Sequence, residues 1–169
     1  MLDLILGFAL FISLITDLRE RKILNMITLP SILIGIVYHT WMAGWEGFLF
    51  SGSGFLLGLA LLFIPYLMGG MGAGDVKLLA AIGSLKGAYF VFQSFLYICL
   101  AGGIIALLIV IKRKQLKNTI TRCFYSLGFL RGNTGALQIL DRNELHHAFP
   151  YGVPIVIGTV IVYTLGGSL

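Results

Sequence analysis

Two aspartates, Asp17 and Asp75, are the residues of this chain whose type and setting point to chemistry. Asp75 lies in the run Gly69-Gly70-Met71-Gly72-Ala73-Gly74-Asp75-Val76-Lys77, whose glycines let the backbone take positive φ and lie close to a second chain. A hydrophobic run begins at Val76, so Asp75 stands near a helix N-terminus at the edge of the hydrocarbon, where a carboxylate is costly to bury and usually functional. Asp17 follows the first apolar run, Leu2 to Thr16. Two carboxylates brought within a few ångströms cannot both ionise easily and so share a proton. That is what aspartyl proteolysis requires. One carboxylate, ionised, takes a proton from water, while the other, protonated, polarises the peptide carbonyl and then assists the leaving amine. This chemistry calls for no metal and no cofactor.

Helix ends bear on which acid holds the proton. Asp75 sits near the positive end of a helix dipole with Lys77 two residues on, which favours its charged form. Asp17 sits near the negative end of the first helix, so the expectation is Asp75 as base and Asp17 as acid in the resting enzyme. Arg19 opposes this assignment, and a coupled pair has macroscopic pKa values belonging to neither member.

The elements that must position these residues are set by composition. Of 169 residues, 58% are hydrophobic and 11% charged, with mean hydropathy +0.96, far outside the range of an ordinary soluble domain. The chain therefore reads as an integral membrane protein forming one membrane-embedded domain over 1–169. The net charge of +5 sits in loops between apolar runs, as the positive-inside rule predicts, and is read as topology and not as nucleic-acid binding. Cys99 and Cys123 have no CxxC spacing and read as reduced packing residues, with neither a zinc site nor a disulfide framework indicated.

Six spans are expected. Leu2 to Thr16 has Asp3 ahead and Arg19, Arg21 and Lys22 behind, the reverse of a signal peptide, so its N-terminus lies outside. Met26 to Ala43 leads to an external turn at Gly44-Trp45-Glu46-Gly47, with Trp41 and Trp45 as interfacial anchors. Phe48 to Met68 returns to the cytoplasm. Val76 to about Ala88 goes out and is short enough to need shielding by protein, and Phe90 to Ile111 comes back. Lys112 to Ala148 is the one substantial polar segment. Within it Leu116, Ile120, Phe124 and Leu127 recur at helical spacing opposite basic positions, which suggests an amphipathic helix on the inner leaflet, ended by Gly132-Asn133-Thr134-Gly135. Tyr151 to Leu165 is the last span, with the C-terminus outside. Under this topology Lys86 alone of the twelve Lys and Arg residues lies outside, and Asp17 and Asp75 share one depth on the cytoplasmic side.

Each feature also has a plainer reading. Asp17 could cap its helix or pair with Arg19 or Arg21, Asp75 could be a helix cap, and the glycines could serve close helix packing. Lys77 and Arg19-Glu20-Arg21-Lys22 fit topology signals. His146 and His147 read as solvated loop side chains in preference to metal ligands, and Met68, Met71 and the phenylalanines as membrane packing. Two acids at one depth are what favour chemistry.

At this point the chain resembles the type IV prepilin peptidases, membrane aspartyl proteases with a Gly-x-Gly-Asp motif. Gly72-Ala73-Gly74-Asp75-Val76-Lys77-Leu78 matches that motif and its continuation. Asp17-Leu18-Arg19 with Ile23 and Asn25 is similar to the first-aspartate segment, with Leu24 where the family has a proline. Phe149-Pro150-Tyr151-Gly152-Val153-Pro154 is similar to the segment leading into the family's last helix. The resemblance implies that Asp17 and Asp75 are the catalytic pair and that Gly72 and Gly74, with Lys77 in the same motif, give access to the scissile bond. It implies prepilin-like substrates, whose short basic leader is removed at the cytoplasmic face after a glycine and before a hydrophobic helix. Larger bacterial members carry a cytoplasmic loop with paired CxxC motifs and also methylate the new N-terminus. This chain lacks that loop, so peptidase activity without methyltransferase activity is implied, as in the short peptidases of tight-adherence or Flp-type pili. Glu20, Asp141 and Glu144 are candidates to receive the basic leader, each with a solvated loop as its plainer reading.

The expectation is thus an all-α polytopic protein of the cytoplasmic membrane, with about six transmembrane helices and one amphipathic cytoplasmic segment. It acts as an aspartic endopeptidase on prepilin-like proteins, with membrane lipid and substrate as its partners. The alternatives are a proton-coupled transporter or permease subunit using the same aspartates as relay groups, and a structural scaffold.

Overall fold

Long runs of Leu, Ile, Phe and Gly with few charges leave the backbone to satisfy its own N–H and C=O groups, and each run closes into a helix. A computed structural model describes residues 1–20, 23–67, 71–112 and 151–166. Five helices cover them: α1 (Leu2–Glu20), α2 (Asn25–Leu67), α3 (Ala73–Lys86), α4 (Ala88–Lys112) and α5 (Gly152–Thr164). No strand occurs among the described residues. Contacts divide the chain into two units, Met1–Gly102 with Pro150–Leu169, and Gly103–Phe149. The polar segment 113–150, with its expected amphipathic helix, Cys123, Asp141, Glu144, His146 and His147, lies outside the described residues, as do Arg21, Lys22 and 68–70.

The turn expected at Gly44-Trp45-Glu46-Gly47 is tighter than its sequence suggests. Helix runs up to and away from Gly44, which alone is non-helical, at φ 57 and ψ −130. Only glycine takes that conformation readily, so one residue does the work of a loop. Both arms of α2 lie against the same level of α3. Gly35 of the first arm abuts Ser84, while in the second arm Ser51 donates its hydroxyl to the Ser84 carbonyl at 2.7 Å and Gly54 abuts Gly83. The chain therefore doubles back at Gly44. Trp41 and Trp45, on either side of the reversal, are both exposed.

Clasped in this way, α3 is the core. Val76, Leu78, Leu79, Ala80, Ala81, Ile82 and Leu85 are all buried, so the shielding expected for a short apolar helix is present. Close approach depends on missing side chains: a Cβ on Gly83 would lie 2.0 Å from the Gly54 carbonyl oxygen, and one on Gly54 equally near the Gly83 oxygen. Gly83→Ala is accordingly expected to destabilise the protein in detergent by about 1–3 kcal/mol, as overpacking does, read as a lowered melting temperature.

The other helices turn apolar stripes outward. Leu4, Phe8, Phe11, Ile15 and Leu18 of α1, Leu29, Leu33 and Val37 of α2, and Phe92, Leu96 and Leu100 of α4 are exposed while Ser13, Thr28, Ser31, Ser94 and Thr159 are buried, an arrangement suited to an apolar solvent. Cys99, read as a packing residue, is a free thiol exposed on α4. By length and hydropathy two helices are able to cross a membrane, α2 and the 88–108 stretch of α4, fewer than the six spans expected. The difference has identifiable sources. The two arms of α2 form one helix broken at a single residue, α3 and α5 have only 14 and 13 residues, and the 19-residue α1 carries Asp3, Asp17, Arg19 and Glu20.

Asp3, at the start of α1, pairs with Lys86, at the end of α3. The Lys86 ammonium also lies over the rings of Phe90 and Tyr163, 5.8 and 5.1 Å from their centroids. The start of α1 and the ends of α3 and α5 therefore meet at one end. The end of α1 and the starts of α3 and α5 must meet at the other.

Candidate active site

Helical periodicity carries Asp17 inward. Leu6, Ala9, Leu10, Ser13 and Asp17 recur at three- and four-residue spacing and form the buried stripe of α1, so the acid occupies what would otherwise be the next apolar position. It lies inside the last turns of the helix, which extends past the expected end at Thr16. Its side chain is buried, and the backbone N–H of Gly152, the first residue of α5, donates to its Oδ2 at 2.9 Å.

Asp75 is buried in the first turn of α3. The Gly72 N–H donates to its Oδ2 at 3.1 Å, and the Asp75 N–H donates back to the Gly72 carbonyl at 3.2 Å. The carboxyl therefore does serve as a cap, reaching back to a donor just before the helix. It does so in a setting that resists its charge. At the rim, ahead of the apolar run that starts at Val76, burial pushes the Asp75 carboxyl up to about 6; the Gly72 amide pulls the other way, and the negative charge of Asp17 adds to the rise. Desolvation thus outweighs the dipole argument that favoured a charged Asp75. Lys77 does not restore the balance, since its ammonium donates to the Asn25 side-chain oxygen at 2.9 Å.

Among the described residues Asp17 and Asp75 are the only buried acids, and the charge of Asp17 reaches Asp75. A titration tests the coupling. Because the charge of Asp17 raises the Asp75 carboxyl, Asp17→Asn is expected to move the Asp75 midpoint below 6, read by carboxyl ¹³C shifts of the labelled protein.

The two motif glycines work differently. Gly72 has extended backbone, φ −79 and ψ 148, open to any residue, and a Cβ there would meet only Asp75 Oδ2, at 3.3 Å. A Cβ on Gly74 would lie 2.8 Å from Ile23 Cβ, 3.2 Å from its carbonyl oxygen and 3.3 Å from its nitrogen. Gly74 therefore seats the start of α3 on the segment that follows α1, and this seat brings the aspartate ends together.

Sequence reasoning gave Tyr151 and Gly152 no role, although the Pro150-Tyr151-Gly152 string opening the last apolar run was a usable sign. A half-open cleft of about 450 Å³ lined by Asp3, Tyr38, His39, Lys86 and Tyr89 opens at the Asp3–Lys86 end, away from the two acids. Among the described residues no three His, Cys, Asp or Glu side chains are grouped to hold a metal ion.

A protein-family model described as the type IV leader peptidase family matches residues 4–107, more than half of the chain and both aspartates. No curated protein and no solved structure gives a match.

Proposed function

The chain belongs to the type IV leader peptidase family, and from that premise we propose that it is an aspartic endopeptidase whose catalytic pair is Asp17 and Asp75. The observation that carries the proposal is the meeting of two buried carboxylates at one end of the fold, close enough for the charge of one to raise the proton affinity of the other. For the pair carrying one proton we assign that proton to Asp75, whose carboxyl is pushed up to about 6 by burial and by the charge of Asp17, and take Asp17 as the base, the reverse of the dipole expectation. A water between them gives a proton to Asp17 as its oxygen attacks the scissile carbonyl carbon. Asp75 donates its proton to the carbonyl oxygen, and the tetrahedral intermediate then collapses as the proton on Asp17 passes to the leaving amine and one hydroxyl of the intermediate returns its proton to Asp75, which restores the pair. The substrate is a prepilin-like protein whose basic leader ends at a glycine before its hydrophobic helix, cut at the cytoplasmic face without methylation of the new N-terminus.

For topology, the proposal retains six membrane crossings with both termini outside. It counts the arms of α2 separately, at 1.5 Å per residue roughly 28 and 34 Å long, and treats α3 from Val76 onward as a short crossing sheathed by them. The pairing of Asp3 with Lys86 supports one side for both, as the charge pattern requires. Exposed Glu20, in the turn after Asp17, is the described acid best placed to meet a basic leader. A proton-relay role has less support, because a relay needs titratable groups through the bilayer, and the buried ones among the described residues sit at one end. Co-expression with a prepilin-like protein tests the proposal: mass spectrometry should find the mature chain beginning after the leader glycine with no added methyl group, and an intact leader would refute it.

A further inference from the structure

The mechanism needs Asp17 ionised inside a buried site, and one donor that favours the ionised carboxylate comes from backbone. The first N–H groups of a helix have no partner within the helix, and the first residue of α5 gives its N–H to Asp17 Oδ2. We propose that Gly152 is a positioning residue of the catalytic centre: its amide anchors Oδ2 of the Asp17 carboxylate, and its missing side chain is the space that carboxylate occupies.

Three observations support this. A Cβ at position 152 would lie 2.6 Å from Asp17 Oδ2, 2.9 Å from Cγ and 3.0 Å from Cβ, so any other residue displaces the carboxylate. The bond joins residues 135 positions apart and is buried, so water does not compete for it. The platform behind it is stiff. Pro154, Ile155, Gly158, Thr159 and Val162 form the buried face of α5, Gly158 sits on the backbone of Ile98 in α4, and Tyr163 packs under Lys86 at the far end. A donor held this way costs no reorganisation when Asp17 takes up negative charge, and a charge-assisted bond of this kind is about twice as strong as a neutral one. Three helix ends then define the centre: α1 and α3 bring the acids, and α5 brings the amide that orients one of them.

The inference rests on the peptidase reading, so its test has one readout that depends on turnover and one that does not. The full chain in lipid nanodiscs is compared with three variants, using a prepilin-like fusion with a basic leader, a glycine and a hydrophobic helix as substrate. Replacing Gly152 with glycolic acid turns the amide into an ester, removing the N–H and adding no bulk. This variant is expected to lose about 10-fold in kcat with KM nearly unchanged, and the Asp17 carboxyl band in the infrared, isolated by difference against Asp17→Asn, is expected to shift. Gly152→Ala keeps the N–H but displaces the carboxylate, and should lose about 100-fold. Gly35→Ala, whose Cβ would lie 2.7 Å from the Ser84 carbonyl oxygen, makes a comparable clash away from the acids and from α5. It should lower the melting temperature while leaving kcat per folded molecule unchanged. An ester variant with an unmoved Asp17 band overturns the proposal, whether or not its kcat falls. Should the wild type leave the fusion intact, the peptidase reading fails, and the band alone decides whether Gly152 anchors Asp17.

Discussion

Asp17→Asn and Asp75→Asn are each expected to leave a prepilin-like substrate uncut, with kcat/KM down by about 10³-fold or more. Each acid performs one half of a proton exchange, and a positioned acid or base is worth roughly 10²- to 10⁴-fold. The halves cannot be supplied singly, because an amide neither takes a proton from water nor gives one to the carbonyl oxygen. The double variant should therefore be little worse than either single one, as happens when residues act as a unit. Stability separates this loss from misfolding. The folded Asp75 carboxyl titrates near 6 against an ordinary value of 3.8. Between those values the native state binds more protons than the unfolded one, so folding weakens as pH rises through that window. An asparagine has no charge to bury and can still accept the Gly72 N–H, so Asp75→Asn should melt at or above the wild-type temperature at pH 7. A variant that melts normally and cuts at the wild-type rate would end the case for the pair.

What the sequence made legible follows from side-chain pattern. Asp17 stands out as the acid that ends the first apolar run, and the shortness of the run after Asp75 pointed to a helix shielded by protein, as α3 is. Asp3 and Lys86, which the charge pattern assigned to one side, form an ion pair at one end of the fold. Three things were not legible, each for a physical reason. A reversal at the single residue Gly44 leaves no polar loop behind it, so a four-residue turn was the natural reading. Burial and the dipole act on Asp75 with opposite signs, and only the packed fold fixes the depth that decides between them. Gly152 acts through a backbone N–H and an absent Cβ, neither of which has a side chain to recognise. Lys77 was grouped with the catalytic motif by its neighbours, yet its ammonium reaches Asn25 at the start of α2.

Gly74→Val is the second variant expected to abolish activity, for a reason unlike that of the aspartates. It leaves both carboxyls in the chain but moves one of them. The nearest atoms to an added Cβ are Ile23 Cβ, carbonyl oxygen and nitrogen, which belong to backbone or to its first substituent and cannot swing aside as the end of a long side chain can. The start of α3 must therefore lift away from the segment after α1, carrying Asp75 from Asp17. A misplacement on the order of 1 Å costs about 10²-fold in rate, and the branched side chain should exceed that. The same contact list predicts what will not rescue it. Ile23→Ala removes only atoms beyond Cβ, so Gly74→Ala combined with Ile23→Ala should remain as impaired as Gly74→Ala alone, whereas a clash with a flexible side chain would be relieved. Gly72→Ala, in extended backbone and meeting only the Asp75 carboxyl oxygen at 3.3 Å, should keep far more activity than Gly74→Ala. If the two glycine variants prove equally inactive, the motif is read by something other than the seat on Ile23. The measurement is kcat/KM on one prepilin-like fusion across the four variants, with the Asp75 titration midpoint followed in parallel. Lifting Asp75 away from Asp17 and out of its buried site should lower that midpoint from about 6, because burial and the Asp17 charge are what raise it.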